Sequence, residues 1–338
     1  MPKIQENIPL KDFTTFQVGG KAKYFAIIKT DGDLREDLIF AKSRKLPVFM
    51  LGGGSNLLAS DNGYNGLIIK NEIKGIKFVD KSDDKVILEV GAGEILDEVI
   101  SLSIIRNLFG LENLSGIPGT VGGAVVQNAG AYGVEIKDVL LSVEGINASN
   151  GKKFIFNSAD CQYSYRNSFF KKNKKFIITS VVLELSKNVI LKTEYAGLKN
   201  IIDKKENVKS VDVRDAVLKI RKEKLPDWHK VGTAGSFFKN PIMTENKYKE
   251  LKDKFGEIPG FPEPKGMIKV PLAWILDKVC DLKGYKEERV GLYEKQPIIL
   301  INYGGATEKE ICNFAKKIKV IIKEKIGINI EEEVENLK

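Results

Sequence analysis

The stretch GIPGTVGGAVVQNAGAYG, Gly116 to Gly133, constrains this chain most, because it combines six glycines with no charged side chain. Three structures tolerate such a sequence: a flexible linker, a backbone packed closely on a neighbour, or a cradle for a ligand's phosphates. A linker is richer in serine and charge and does not carry Ile117, Val121, Val125 and Val126. Glycines alternating with valines let one face of the backbone touch something while the other packs. Whether that something is protein or ligand stays open on this stretch alone.

A second glycine run, LGGGSNLL, follows the apolar segment PVFML. Glu72 lies about 20 residues beyond Gly52, the spacing of a ribose-binding acid in a dinucleotide fingerprint. Leu57 occupies the third glycine's place, however, and the turn-rich ASDNGYNG follows where a helix should open. These two features argue against that fingerprint. The Gly116–Gly133 stretch also lacks the G-x-x-x-x-G-K-[ST] pattern of a Walker loop. A glycine-serine-asparagine loop can still offer backbone N–H groups to a pyrophosphate, or it can be a tight turn. Two such loops in one half of the chain point to an extended, diphosphate-bearing cofactor.

The 338 residues, 43% hydrophobic and 29% charged, suit a core-forming chain of more than one domain. No apolar run reaches the roughly 18 residues of a membrane span, and MPKIQENIPLKDF lacks a signal peptide's apolar region. Cys161, Cys280 and Cys312 match no C-x-x-C spacing and read as reduced, small buried hydrophobes in a cytoplasmic protein. The net charge of +9 raises a nucleic-acid reading. Yet lysine dominates over the seven arginines and is interleaved with acids, as in EKEICNFAKKIKVIIKEK. That pattern fits a solvated helix face, so no nucleic-acid partner is expected.

Strands are predicted at KAKYFAIIK, PVFML, GLIIKN, KGIKFVD, KVILEVGAG, VLLSVEGINA, KKFIFNS, KKFIITSVVLELS and QPIILIN. Few connections are long enough for parallel crossovers, so an α+β fold with largely antiparallel strands is expected. Helices are predicted from Leu34 to Ser43 and over EILDEVISLSIIRNL, where Ile95, Val99, Leu102 and Ile105 would share the buried face. Further helices fit VDVRDAVLKIRKEKL, ENKYKELKDKF and PLAWILDKV. One near the end has a Thr307–Glu310 capping box, an apolar face of Ile311, Phe314, Ile318 and Ile321 or Ile322, and a stop at Gly327. INIEEEV reads as a closing strand. Boundaries fall near residues 70, 205 and 327.

Candidate chemistry is sparse. In CQYSYRNSFFK, Arg166 beside Tyr165 can clamp a carboxylate or form a structural ion pair. Ser236 in GTAGSFFKNP sits in a glycine turn but not in a G-x-S-x-G elbow, since Phe238 replaces the second glycine. The single histidine, His229, makes an unconvincing base for it, and one histidine with scattered cysteines argues against a zinc site. The acidic run Glu331–Glu333 reads as a solvated edge with at most one side turned inward.

Taken together, the stretches resemble the UDP-N-acetylenolpyruvoylglucosamine reductases (MurB) in order over nearly the whole chain. They are NIPLKDFTTFQVGGKA, LGGGSNLL, IKGI, GAGE, GLENLSGIPGTVGGAVVQNAGAYGVE, YRNSFFK, KLPD, AGSFFKNP, WILD, LKG and EEEV. TEYAGL with YRNSFFK resembles the subclass with a tyrosine-bearing capping loop. The resemblance implies a two-part FAD-binding region of the vanillyl-alcohol-oxidase (PCMH) type plus a C-terminal α/β substrate domain. Residues 1–70 with 328–338 would be the small FAD domain, 71–205 the larger one and 206–327 the substrate domain.

It implies non-covalent FAD on Gly52, Gly53, Gly54, Ser55, Asn56, Leu57, Ile117, Gly123, Val126, Gly130 and Arg221, and NADPH as co-substrate. Ser236 would be the proton donor, with Arg166 and Glu333 acting on the substrate carboxylate. Tyr195, Lys224, Asn240 and Tyr165 would bind a UDP-sugar, with no metal, in a cytoplasmic monomer without membrane contact. The chain departs from the family's pattern at Glu332, where proline is usual between the terminal glutamates, and at Trp228 after KLPD. A related FAD oxidase of small alcohols or sugars is the competing enzyme class. Against it stand Ser236 and Arg166, and the absence of histidine from the glycine loops.

Overall fold

A computed structural model describes residues 3–189, 191–203 and 205–338. The chain divides into two compact units: 1–8, 22–53 and 65–223 form one, and 9–21, 54–64 and 224–338 form the other. It passes from the first to the second between Gly53 and Gly54.

In the first unit, a sheet of four strands runs in the order Gln5–Pro9, Lys21–Ile28, Tyr64–Asn71, Val48–Leu51. Its last pair is parallel, Val48 opposite Leu67 through Leu51 opposite Lys70. Helix Asp31–Ser43 packs Leu34 and Ala41 into a core with Ile28 and Ile69. Thr30 and Asp33 cap it reciprocally, so two N–H groups that the helix cannot satisfy find acceptors.

The second sheet of this unit is antiparallel throughout, in the order Lys153–Asn157, Leu140–Asn147, Phe176–Ser186, Lys85–Gly91, Ile76–Asp80. Its central strand Phe176–Ser186 buries Val181, Leu183 and Leu185 at alternate positions, the period of a strand with one face in the core. Helices Leu96–Ile105 and Val121–Gln127 share that core through Val99, Ile100, Val121 and Val125. Helix Ser210–Lys224 builds a separate small core with Leu198 and Ile202 of helix Ala196–Ile202.

The second unit centres on strand Gln296–Asn302, flanked by Val290–Tyr293 and covered by helix Glu308–Ile326. Ile311, Phe314, Ile318 and Ile322 of that helix are buried, its capping box is formed, and Gly327 ends it at φ 71°. Strand Leu57–Ala59 pairs in parallel with Glu335–Leu337 at the chain's end. Strands Ile242–Thr244, Met267–Lys269 and Phe261–Glu263 form a small antiparallel sheet beside helix Glu245–Phe255. The segment PLAWILDKV forms helix Leu272–Trp274 and widens into an i→i+5 turn over Ile275–Val279.

Two sequence expectations need correction. Helix Leu96–Ile105 buries Leu96, Val99, Ile100, Ser103 and Ile104, whereas Ile95, Leu102 and Ile105 are exposed. A run this apolar permits two faces, and the hydroxyl of buried Ser103 satisfies itself on the Val99 carbonyl at 2.9 Å. INIEEEV is not a continuous strand: Glu332 makes one bridge to Phe238, and regular pairing begins only at Glu335. The α+β expectation holds, and Val48–Leu51 with Tyr64–Asn71 and Leu57–Ala59 with Glu335–Leu337 are parallel pairs beside the antiparallel ones.

Candidate functional site

The residues singled out by sequence fall in both units. Gly52, Gly53, Ile117, Gly123, Val126, Gly130, Tyr165, Arg166, Tyr195 and Arg221 belong to the first; Gly54, Ser55, Asn56, Leu57, Lys224, Ser236, Asn240 and Glu333 belong to the second.

In the first unit the two glycine runs meet. A Cβ on Gly53 would stand 2.6 Å from the Cα of Gly119, and one on Gly52 would stand 2.7 Å from Thr120 Oγ1. Thr120 caps helix Val121–Gln127, accepting from the Gly123 N–H at 3.3 Å. Gly122 abuts Ala92, with its Cβ position 2.9 Å from that side chain. Gly123 is different. It has ordinary helical backbone, is exposed, and its Cβ position meets only Thr120 Oγ1, at 3.4 Å. Protein packing therefore does not demand a glycine there, although glycine costs an exposed helix about 1 kcal/mol.

The YRNS turn is stitched to the end of the same stretch. Ser168 Oγ donates to the Val126 carbonyl at 2.7 Å, and an Arg166 nitrogen donates to the Gly130 carbonyl at 2.8 Å. Asn128, in the left-handed conformation at φ 48°, donates to Glu135 and to the Ser164 carbonyl. A Cβ on Gly130 would stand 2.7 Å from Glu135 Cγ, 3.0 Å from the Val134 carbonyl and 3.3 Å from an Arg166 nitrogen, so there is little room for a side chain there. Arg166 itself has φ 53° and lies 5.3 Å from the Tyr165 ring centroid. The ring of Tyr195 packs edge-on against Tyr132, with centroids 5.2 Å apart.

A polar cluster that the sequence reading missed lies at Gly116. Asp97 accepts from the Gly116 N–H at 2.6 Å and from both Arg214 nitrogens at 2.7 and 2.8 Å. Burial opposes ionisation of Asp97, but Arg214, the Gly116 N–H and the charge of Arg221 hold its carboxyl below the usual range. Arg221 Nε lies 3.0 Å from where a Gly116 Cβ would stand. Burial lowers the Arg221 guanidinium, and Tyr132 and Asp97 oppose that shift. Nothing local in the sequence announces this cluster; only an acid in a helix's first turn hints at it.

In the second unit, the loop after Gly53 is held from behind. Gly54 at φ 64° places its Cβ direction 1.9 Å from the Phe13 carbonyl, and its own carbonyl accepts from the Thr15 N–H at 3.1 Å. Asn56 bonds the last segment twice, donating to the Glu333 carbonyl at 3.2 Å and accepting from the Glu335 N–H at 3.0 Å. Among the described residues, no protein acceptor meets the backbone N–H of Gly53, Gly54 or Asn56.

Ser236 bridges Ile299, and the next residue, Phe237, donates to the Ile298 carbonyl at 2.9 Å and accepts from the Glu333 N–H at 2.8 Å. The segment is thus clamped on both edges, with Phe237 and Phe238 buried beneath it. Lys239 pairs with Glu331 at 2.8 Å and pulls that carboxyl below its usual range. Glu332 pairs with Lys319 at 2.5 Å and accepts from Asn336 at 2.8 Å. Asn240 caps helix Leu272–Trp274, accepting from the Leu272 N–H at 2.9 Å. Lys224, the last residue of its helix, is exposed. His229 is exposed and stacks on Trp228. Cys161 and Cys280 are buried as expected, whereas Cys312 is only half-buried.

Comparison with known proteins identifies the family. A family described as FAD binding domain matches residues 22–155, and one described as UDP-N-acetylenolpyruvoylglucosamine reductase, C-terminal domain, matches residues 227–337. A UDP-N-acetylenolpyruvoylglucosamine reductase of Flavobacterium johnsoniae is 38% identical over 98% of this chain and 99% of its own. The chain belongs to the UDP-N-acetylenolpyruvoylglucosamine reductase family. Reductases of that name from Amoebophilus asiaticus and Pseudomonas aeruginosa are 37% and 36% identical over 98% of each chain. In fold it is similar to the crystal structure of the Thermus caldophilus reductase, at TM-score 0.70, 24% identity and full coverage of both chains.

Membership of this family makes the chain an FAD-dependent oxidoreductase. The residues present fit FAD. In the second unit, the backbone N–H groups of Gly54 and Asn56 suit phosphate oxygens. The open face of Gly123 suits close approach by a planar group. Among the described residues, no helix is long and apolar enough to cross a membrane.

Proposed function

We propose that this chain reduces UDP-N-acetylenolpyruvoylglucosamine to UDP-N-acetylmuramate with NADPH, as a cytoplasmic monomer supplying peptidoglycan precursors. The observation that carries this reading is whole-chain similarity at 35–38% identity to reductases of that substrate name. In domain terms we assign 1–70 with 328–338 and 71–205 to FAD binding, and 206–327 to substrate binding.

The net change adds a hydride at C3 and a proton at C2 of the enolpyruvyl ether, and NADPH becomes NADP+. FAD, when bound, supplies the two-electron store that lets reductant and substrate react in turn. Gly52–Leu57 hold its pyrophosphate through backbone N–H groups, and Ile117, Gly123, Val126, Gly130 and Arg221 line its rings.

Negative charge developing at C2 spreads into the substrate carboxylate. Arg166 stabilises it as a fixed cation, and Glu333 does so through a carboxyl proton. Ser236 delivers the proton to C2. A serine hydroxyl is a weak acid, so the step depends on close positioning and a strongly basic enolate. Support for Ser236 comes from the clamping of its segment by Ile298 and Glu333. Support for Glu333 comes from its backbone N–H, which donates to the Phe237 carbonyl at 2.8 Å and so ties it to the segment that carries Ser236. Lys224 and Asn240 bind the diphosphate, and Tyr195 and Tyr165 the remainder of the UDP-sugar.

The test is anaerobic. Protein loaded with FAD should be bleached by NADPH and reoxidised by UDP-N-acetylenolpyruvoylglucosamine. Reoxidation by oxygen alone, or no flavin spectrum after FAD addition, overturns the reading.

A further inference from the structure

The Asp97 cluster has a charge imbalance that its geometry fixes. One carboxylate faces two guanidiniums: Arg214, bound through both terminal nitrogens, and Arg221, whose charge also acts on Asp97 and whose Nε lies 3.0 Å from where a Gly116 Cβ would stand. Arg214 and Arg221 lie two turns apart on helix Ser210–Lys224, and Leu218 between them lies 2.9 Å from where a Gly116 Cβ would stand. The N–H of Gly116 is bound to the same carboxylate, so turn, helix and charge are set as one piece.

Glu98, the neighbouring acid on helix Leu96–Ile105, is exposed. Tyr132 is the other titratable side chain facing Arg221, and burial pushes its hydroxyl up, keeping it neutral. The cluster of Asp97, Arg214 and Arg221 thus carries a net positive charge beside the turn that leads through Ile117 to Gly119 and Gly53.

We infer that Asp97 is a positioning residue that, with Arg214, sets the field Arg221 presents to the bound flavin and so sets the flavin's reduction potential. This rests on the proposed place of Arg221 at the flavin. Reduction adds electron density to the flavin ring, so positive charge beside it favours the reduced form and a carboxylate behind that charge tempers it. A carboxylate bound bidentately cannot swing away, which makes the tempering constant.

The experiment measures the midpoint potential of the FAD-loaded protein by equilibration with a reference dye. Asp97→Asn keeps an acceptor for Gly116 and removes the charge. It should raise the potential by at least the equivalent of a tenfold tighter hold on reduced over oxidised flavin, about 30 mV for two electrons. Asp97→Glu, which restores the charge, should stay near the parent. Arg214→Gln, which removes a positive charge instead, should move the potential the other way. An Asp97→Asn potential equal to the parent's, or an equal shift in Asp97→Glu, overturns the inference. If Asp97→Asn does not retain flavin, Arg214→Gln decides alone: an unmoved or raised potential refutes the role of Asp97. Failure of the parent to bind FAD is a different result and overturns the functional reading.

Discussion

The N–H of Gly123 donates to Thr120 Oγ1 at 3.3 Å, and among the described residues beyond its chain neighbours and its own helix backbone, that same oxygen alone lies within 4 Å of a Cβ built on Gly123. Gly53, close by in the same unit, is the opposite case, with its Cβ direction blocked by the Gly119 backbone at 2.6 Å. The fold requires glycine at position 53 but not at position 123, and that contrast supports the flavin-lining role proposed for Gly123.

Gly123→Val should therefore fold with a thermal midpoint near the parent's when both are stripped of flavin, yet fail to retain FAD through gel filtration. Gly53→Ala should lower the flavin-free midpoint, because backbone atoms cannot yield as a flexible side chain can. Equal thermal loss in both variants would contradict this contrast.

Ser236→Ala should leave NADPH-driven flavin bleaching intact and slow reoxidation by the enolpyruvyl substrate by more than about 10²-fold. Single-turnover stopped flow separates the two halves. The hydroxyl can be removed without loosening its segment, because the clamp consists of backbone bonds at Phe237. Equal slowing of both half-reactions would make Ser236 a structural residue.

The terminal glutamates give a third test. Glu331→Gln and Glu332→Gln break pairs with Lys239 and Lys319 and should leave kcat within about twofold, since part-exposed pairs contribute about 1 kcal/mol or less to stability. Glu333→Gln should lower kcat by about 10²-fold or more. A large loss in Glu332→Gln instead would shift the catalytic register by one residue.

Legibility in the sequence tracked the range of the interactions. Helix Glu308–Ile326 was readable end to end, because its capping box, apolar face and Gly327 stop all lie within the helix or next to it. Helix Leu96–Ile105 is legible in the sequence but its buried face is not, since an apolar run leaves that choice to the packing partner. INIEEEV points to a last strand that starts too early, because its register is set by Leu57–Ala59, far away in sequence. Glycine spacing exposed the two loops but could not tell Gly53, packed on backbone, from Gly123, open on one face. Asp97 and Arg214 are 117 residues apart, and no motif joins them.

Asp37 provides a prediction independent of the site. It is 2% exposed on helix Asp31–Ser43, and burial first, then Asp33 and Glu36, push its carboxyl from 3.8 up to about 6. Asp33 sharpens the effect, because backbone bonds from Lys29 and Thr30 keep it ionised. A raised folded-state value means that the folded chain binds the proton more tightly than the unfolded chain. Stability is therefore greatest below the unfolded value and falls as pH rises from 3.8 through about 6. Asp37→Asn removes that charging step. At about pH 7.5 it should be more stable than the parent by roughly 1–3 kcal/mol, and near pH 4 the gap should close. Urea midpoints measured for both proteins at the two pH values check this, and a gap of the same size at both would show that Asp37 is not the titrating group.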